Sequence, residues 1–77
     1  MIVRELLEKV VKEDSELSHV EIIRGNEHHT FSLQTFADKY PEYLNNTVKK
    51  FNFRTYEGYI DDVKYSCKVI EIEVEQI

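Results

Sequence analysis

Seventy-seven residues, 42% of them apolar and 32% charged, are enough for one small folded domain, too few for two, and too apolar for a disordered tail. Fifteen acidic against ten basic residues give a formal net charge of -5, which argues against a general nucleic-acid binder, because that affinity comes from counterions released by Lys and Arg, and permits a partner with a basic groove. The single cysteine, Cys67, excludes an internal disulfide and suits a reducing compartment, so the expectation is one domain over 1–77, of modest stability and without a covalent staple.

The opening MIVRELLEKVVKEDSE carries the strongest helical period. Ile2, Val3, Leu6, Leu7, Val10 and Val11 share one side, predicting an amphipathic helix over 2–13 whose other side pairs Arg4 with Glu8, Glu5 with Lys9 and Glu8 with Lys12. Those charges interrupt any signal-peptide core, and nothing approaches the roughly 18 consecutive apolar residues of a membrane span. A cytoplasmic protein away from the membrane is expected.

Val20, Ile22 and Ile23 give β-branched bulk to a strand over about 18–24, and Gly25-Asn26 supplies a turn. Glu27, His28 and His29 then read as a polar loop. Adjacent residues in extended chain point to opposite faces, and no Cys or His stands at a closed zinc-site spacing, so no metal is expected. Leu33, Phe36, Ala37, Tyr40 and Leu44 form a second helical stripe behind Ser32 as N-cap, broken near Tyr40-Pro41 by the proline ring and resumed to about Asn45.

The rest reads as an antiparallel hairpin in which VKKFNFRTY and VKYSCKVIEIEVE flank EGYIDD. Phe51 and Phe53 are expected in the core, with Lys50, Asn52 and Arg54 facing water. In the last strand the apolar positions are Val63, Tyr65, Cys67 and Val69, then Ile70, Ile72 and Val74. Keeping one face buried through that change of parity requires an extra residue, so a β-bulge is predicted at Val69-Ile70. The resulting fold class is α+β: an N-terminal amphipathic helix and a second short helix packed on a small, mainly antiparallel three-stranded sheet.

No acid, base and nucleophile converge, and Gly25 and Gly58 are isolated, so no phosphate-cradling loop exists. Neither an enzyme nor a cofactor is expected. Cys67 reads as a small buried hydrophobe rather than a reactive thiolate. Five tyrosines exceed what so thin a core buries, and Tyr43, Tyr56 and Tyr59 are the chosen contact residues, because Tyr buries area at low entropic cost and keeps a polar handle. Glu71, Glu73 and Glu75 alternate along the last strand about 6.5–7 Å apart, similar to successive phosphates of a nucleic acid. Glu57, Asp61 and Asp62 add to them. If the hairpin turns about Ile60 with the bulge in place, Lys50 stands opposite Glu71, leaving Glu73 and Glu75 as the pair most available to a partner.

The succession of VRELLEKV, HVEII and YPEYLNN before a hairpin opened by Val48 and Phe51 resembles small proteins encoded by phages and prophages of Gram-positive bacteria. The resemblance implies a non-enzymatic binding protein, among them anti-defence and anti-CRISPR inhibitors, that occupies a basic nucleic-acid-binding surface of a host protein in the host cytoplasm. Two other readings stand beside it: an oligomeric sponge for a nucleotide signal, and a phage structural or assembly subunit. A homo-oligomer is compatible with all three.

Overall fold

The computed structural model of the chain describes residues 1–39 and 41–75, apart from the side chains of Ala37 and Lys39. In chain order, helix α1 (Val3–Glu13) is followed by strands β1 (Leu17–Arg24) and β2 (Glu27–Ser32), helix α2 (Leu33–Lys39), a 3-10 helix (Pro41–Asn45), and strands β3 (Val48–Ile60) and β4 (Val63–Val74). The strands form one sheet in the order β2-β1-β4-β3. Two antiparallel hairpins, β1–β2 and β3–β4, are joined side by side through a parallel β1–β4 pair.

The α+β class holds, and two details of the sheet are corrected. It has four strands, because Glu27–Ser32, read above as a polar loop, pairs with β1 from His19↔Ser32 to Arg24↔Glu27. It is mixed rather than mainly antiparallel, because the last strand lies parallel to β1 with Val20 beside Ile70 and Ile22 beside Ile72. Pleating sends these four residues to one face, where they meet α1 and α2. Val3, Leu6, Leu7 and Val10 from α1, Phe36 from α2, and Val20, Ile22, Ile70, Ile72 and Val74 from the sheet build a single core, each nearly or wholly buried.

α1 starts where the Glu5 carboxylate accepts the Ile2 N–H at 3.1 Å, tying down one of the unsatisfied donors of the first turn. Its N-terminus is fastened to the chain before β3: Val3 N–H donates to the Asn46 carbonyl at 3.0 Å, and Val48 N–H donates to the Met1 carbonyl at 2.8 Å. α1 ends at Asp14, whose N–H still reaches the Val10 carbonyl at 2.9 Å. The interrupted second helix matches its prediction, with α2 to Lys39 and a 3-10 turn from Pro41. Tyr40, expected at the kink and in the stripe, lies outside the described residues, as does the side chain of Ala37.

No bulge interrupts β4. From Lys50↔Glu73 to Ile60↔Val63 the β3–β4 register runs unbroken through Arg54↔Val69 and Phe53↔Ile70. The irregularities lie elsewhere, between Leu17 and His19 in β1 and between Val48 and Lys50 in β3. β4 therefore uses both of its faces: Ile70, Ile72 and Val74 enter the core, while Val63, Tyr65, Cys67 and Val69 lie on the face turned away from the helices. Cys67 is half-buried there rather than part of the core.

Candidate protein-binding site

β1 reaches β4 only from Lys68 onward, so among the described residues the part of the β3–β4 hairpin beyond it has no third strand and no helix over it. Thirteen residues of β3 at roughly 3.3 Å each span about 43 Å, which accounts for the 44 Å long axis of the molecule. The ribbon projects. Its turn is the two residues Asp61 and Asp62, with φ of 49° and 65°, the left-handed pair that a tight hairpin with native twist requires. EGYIDD is thus mostly strand, and the turn is only its last two residues.

The predicted contact residues fall into three places. Tyr56, Glu57, Tyr59, Asp61 and Asp62 lie on the projecting ribbon; Tyr59, 71% exposed, and Tyr56 stand on opposite faces of it. Glu57 meets Lys64 at 3.6 Å, whereas Asp61 and Asp62 enter no ion pair among the described residues. Tyr43 is at the far edge of the sheet, half-buried against Phe31 and Phe36 at centroid separations of 5.8 and 6.2 Å, with the Arg24 guanidinium 5.9 Å above its ring. It is a core-rim residue, apart from the ribbon.

The glutamates occupy the middle of the face away from the helices. Arg54 Nε lies 3.0 Å from the Glu71 carboxylate, whose side chain is only 13% exposed, and Lys49 Nζ lies 3.5 Å from that of Glu73, 26% exposed. The expected register is corrected here: Lys50 stands opposite Glu73, and Asn52 opposite Glu71. The turn at Asp61-Asp62 rather than about Ile60, together with the absence of the bulge, shifts the pairing by two residues. Glu75 follows the end of β4, exposed, with its N–H donating to the Thr47 carbonyl at 3.0 Å. Glu21 sits beside Glu71 on the neighbouring parallel strand, and the Arg54 charge serves both; bonding to Tyr56, then Glu71, holds its guanidinium more firmly protonated.

Phe51 and Phe53 are also corrected. They stand on the helix-side face, opposite Ile72 and Ile70, but on the outer strand beyond the reach of the helices, edge to face at 6.1 Å and 46% and 39% exposed. Val63 and Tyr65, expected on the buried face, are instead strongly exposed on the ribbon, as is Ile60 at the end of β3. The odd-numbered apolar set of β4 marks a second apolar face.

His28 and His29 alternate along β2, His28 toward Glu21 at 3.8 Å and His29 toward Glu27 at 3.8 Å. A groove of about 550 Å³ separates α1 from α2 and the 3-10 helix, walled by Leu7, Val11, Leu33, Phe36 and Leu44 with Arg4 and Lys12 at its rim. No helix among the described residues is long and apolar enough to cross a membrane. No protein-family model, curated protein or solved structure matches this chain.

Proposed function

We propose that this chain is a small acidic phage-type binding protein, an anti-defence inhibitor that docks on a basic, nucleic-acid-binding surface of a host protein. The observation that carries the reading is the hairpin tip: two carboxylates, Asp61 and Asp62, without an intramolecular cation among the described residues, at the end of a ribbon that projects from the core. Such a ribbon enters a groove where a compact acidic surface meets only its rim. Tyr59 beside the tip supplies rigid apolar area with a hydroxyl, the side-chain type enriched at protein interfaces.

Glu71, Glu73 and Glu57 are paired with Arg54, Lys49 and Lys64, so in this reading the anionic contribution falls to Asp61 and Asp62 at the tip and to Glu75 after the strand. Charge reversal at the tip, Asp61→Lys with Asp62→Lys, tests it. Affinity capture from a lysate of a Gram-positive host is expected to retain a nucleic-acid-binding protein on the wild-type chain, to release it as salt rises, and to lose it with the double variant. Retention by the double variant at moderate salt overturns the reading.

A further inference from the structure

The helices do not close over the core completely. Between α1 on one side and α2 with the 3-10 helix on the other lies the groove of about 550 Å³. Leu7 and Phe36, both buried, form its floor, while Leu33, Leu44 and the half-exposed Val11 stand higher on its walls. Its α1 rim is charged: Arg4, Glu8 and Lys12 follow at intervals of four residues, which places them on one side of the helix with the two cations about 12 Å apart along its axis. Neither cation enters an ion pair among the described residues, although Glu8 stands one turn from each. On a chain of net charge -5, this rim is net positive.

We infer that the groove binds a single-chain anionic amphiphile, an alkyl chain that ends in a carboxylate or phosphate. The chain lies along the apolar walls, and the head group is held at either end by Arg4 or Lys12. Volume, lining and charge select this occupant together. About 550 Å³ falls within the roughly 300–1,000 Å³ of small-molecule sites. The five apolar side chains offer no hydrogen bond, so a polar ligand such as a nucleotide would lose its water without replacement, whereas an alkyl chain loses nothing. The guanidinium fork of Arg4 takes a carboxylate or phosphate with two parallel bonds, and the Lys12 ammonium takes the same groups as a point charge. A cationic head would meet two like charges against the single carboxylate of Glu8.

A helix of a partner protein fits less well. The stretch from Arg4 to Lys12 matches only about two helical turns, far short of the roughly 800 Å² that each side of a specific protein interface buries. The amphiphile also leaves the hairpin tip untouched, because Asp61 and Asp62 line no part of the groove. This inference goes beyond the docking proposed above, and its failure leaves that reading standing.

Isothermal titration of the full chain with dodecanoate, kept below its micelle-forming concentration, tests it. Saturable binding is expected, with affinity rising roughly three- to fourfold per methylene from octanoate to dodecanoate, the increment for a methylene taken out of water. Arg4→Gln with Lys12→Gln is expected to weaken binding by about tenfold or more, and Glu8→Gln, which removes the opposing charge, to strengthen it. Val11→Glu, at a position 46% exposed where a charge does not disturb the core, is expected to abolish it, and circular dichroism checks that each variant is folded. The inference is overturned if dodecanoate does not bind saturably, if dodecyltrimethylammonium binds as tightly, or if the double glutamine variant binds like the wild type. Attachment of the chain to phosphatidylglycerol vesicles without binding of free dodecanoate overturns it too, by making the groove part of a lipid-surface contact.

Discussion

The Lys68 ammonium is bonded to the Asp14 carboxylate, joining the middle of β4 to the end of α1 across 54 positions of chain. Asp14 also accepts the Glu16 N–H at 3.0 Å, and the same Lys68 ammonium lies 5.2 Å from the Phe53 ring centroid. One cation thus touches the loop before β1, the inner strand β4 and the outer strand β3. The bond to Lys68, followed by the Glu16 N–H, favours the ionised carboxyl and holds Asp14 below the ordinary carboxylate range.

That depression fixes a pH dependence. A carboxyl whose folded pKa lies below its unfolded value adds stability above the unfolded value, near pH 4, and loses it as pH falls toward the folded one. Asp14→Asn is expected to be less stable than wild type at pH 7 and to approach it below pH 4. Urea midpoints at pH 7 and pH 3 measure the gap, and a gap of equal size at both would rule out the bond as its source.

Ile72 is fully buried, while Phe51, its cross-strand neighbour, is half exposed. Ile72→Ala is expected to cost about 3–4 kcal/mol, against roughly 4–11 kcal/mol for a whole chain of this length. Phe51→Ala, larger in volume lost, is expected to cost only about 1 kcal/mol, because much of its ring already meets water. Chemical denaturation of both variants decides: a phenylalanine cost as large as the isoleucine one would place Phe51 in the core.

Asp61 and Asp62 hold positive φ, which Asn-Gly adopts with less strain. Asp61→Asn with Asp62→Gly is expected to raise stability by about 0.5–1 kcal/mol and the melting temperature by about 3–6 °C. The same change removes both tip carboxylates, so a chain that melts higher yet binds a basic partner less well separates turn strain from tip charge. A lowered melting temperature would show that the aspartates fit the turn better than its geometry implies.

Arg54 holds Glu71 beside Glu21 on adjacent parallel strands. Arg54→Ala is expected to destabilise the fold at neutral pH, and Glu71→Gln in that background to restore part of the loss by removing one of the facing charges. A double-mutant cycle read by thermal unfolding gives the coupling. Additive effects would mean that the pair is a surface contact of no consequence.

The elements legible in the sequence were those whose apolar residues are covered by something local. α1 followed from Val3, Leu6, Leu7 and Val10, the Gly25-Asn26 turn from its composition, and the hairpin from β-branched runs meeting at Asp61-Asp62. β2 was illegible because Phe31 is its only residue that is not exposed, leaving no apolar alternation to see. The parallel β1–β4 pairing left no local mark, since Val20 and Ile70 are fifty positions apart. In the candidate site, Glu71 and Glu73 were placed on one face correctly, but their partners Arg54 and Lys49 depend on a register set by the turn at Asp61-Asp62, which was expected about Ile60. The change of parity at Val69-Ile70 is real. It records two apolar faces of one strand, only one of them under the helices, and periodicity reports which side is apolar without reporting what covers it.

β4 is the last strand among the described residues and an inner strand of the sheet. Each hairpin can close within microseconds from neighbouring residues, yet neither encloses a core by itself, because Leu6, Val20 and Ile22 await Ile70 and Ile72 from the opposite end. Closing that long loop spends its entropy before any buried area rewards it, which favours slow folding over the speed of either hairpin. During synthesis α1 and β1 therefore stand uncovered until β4 has emerged, and the core closes late, between elements about fifty positions apart.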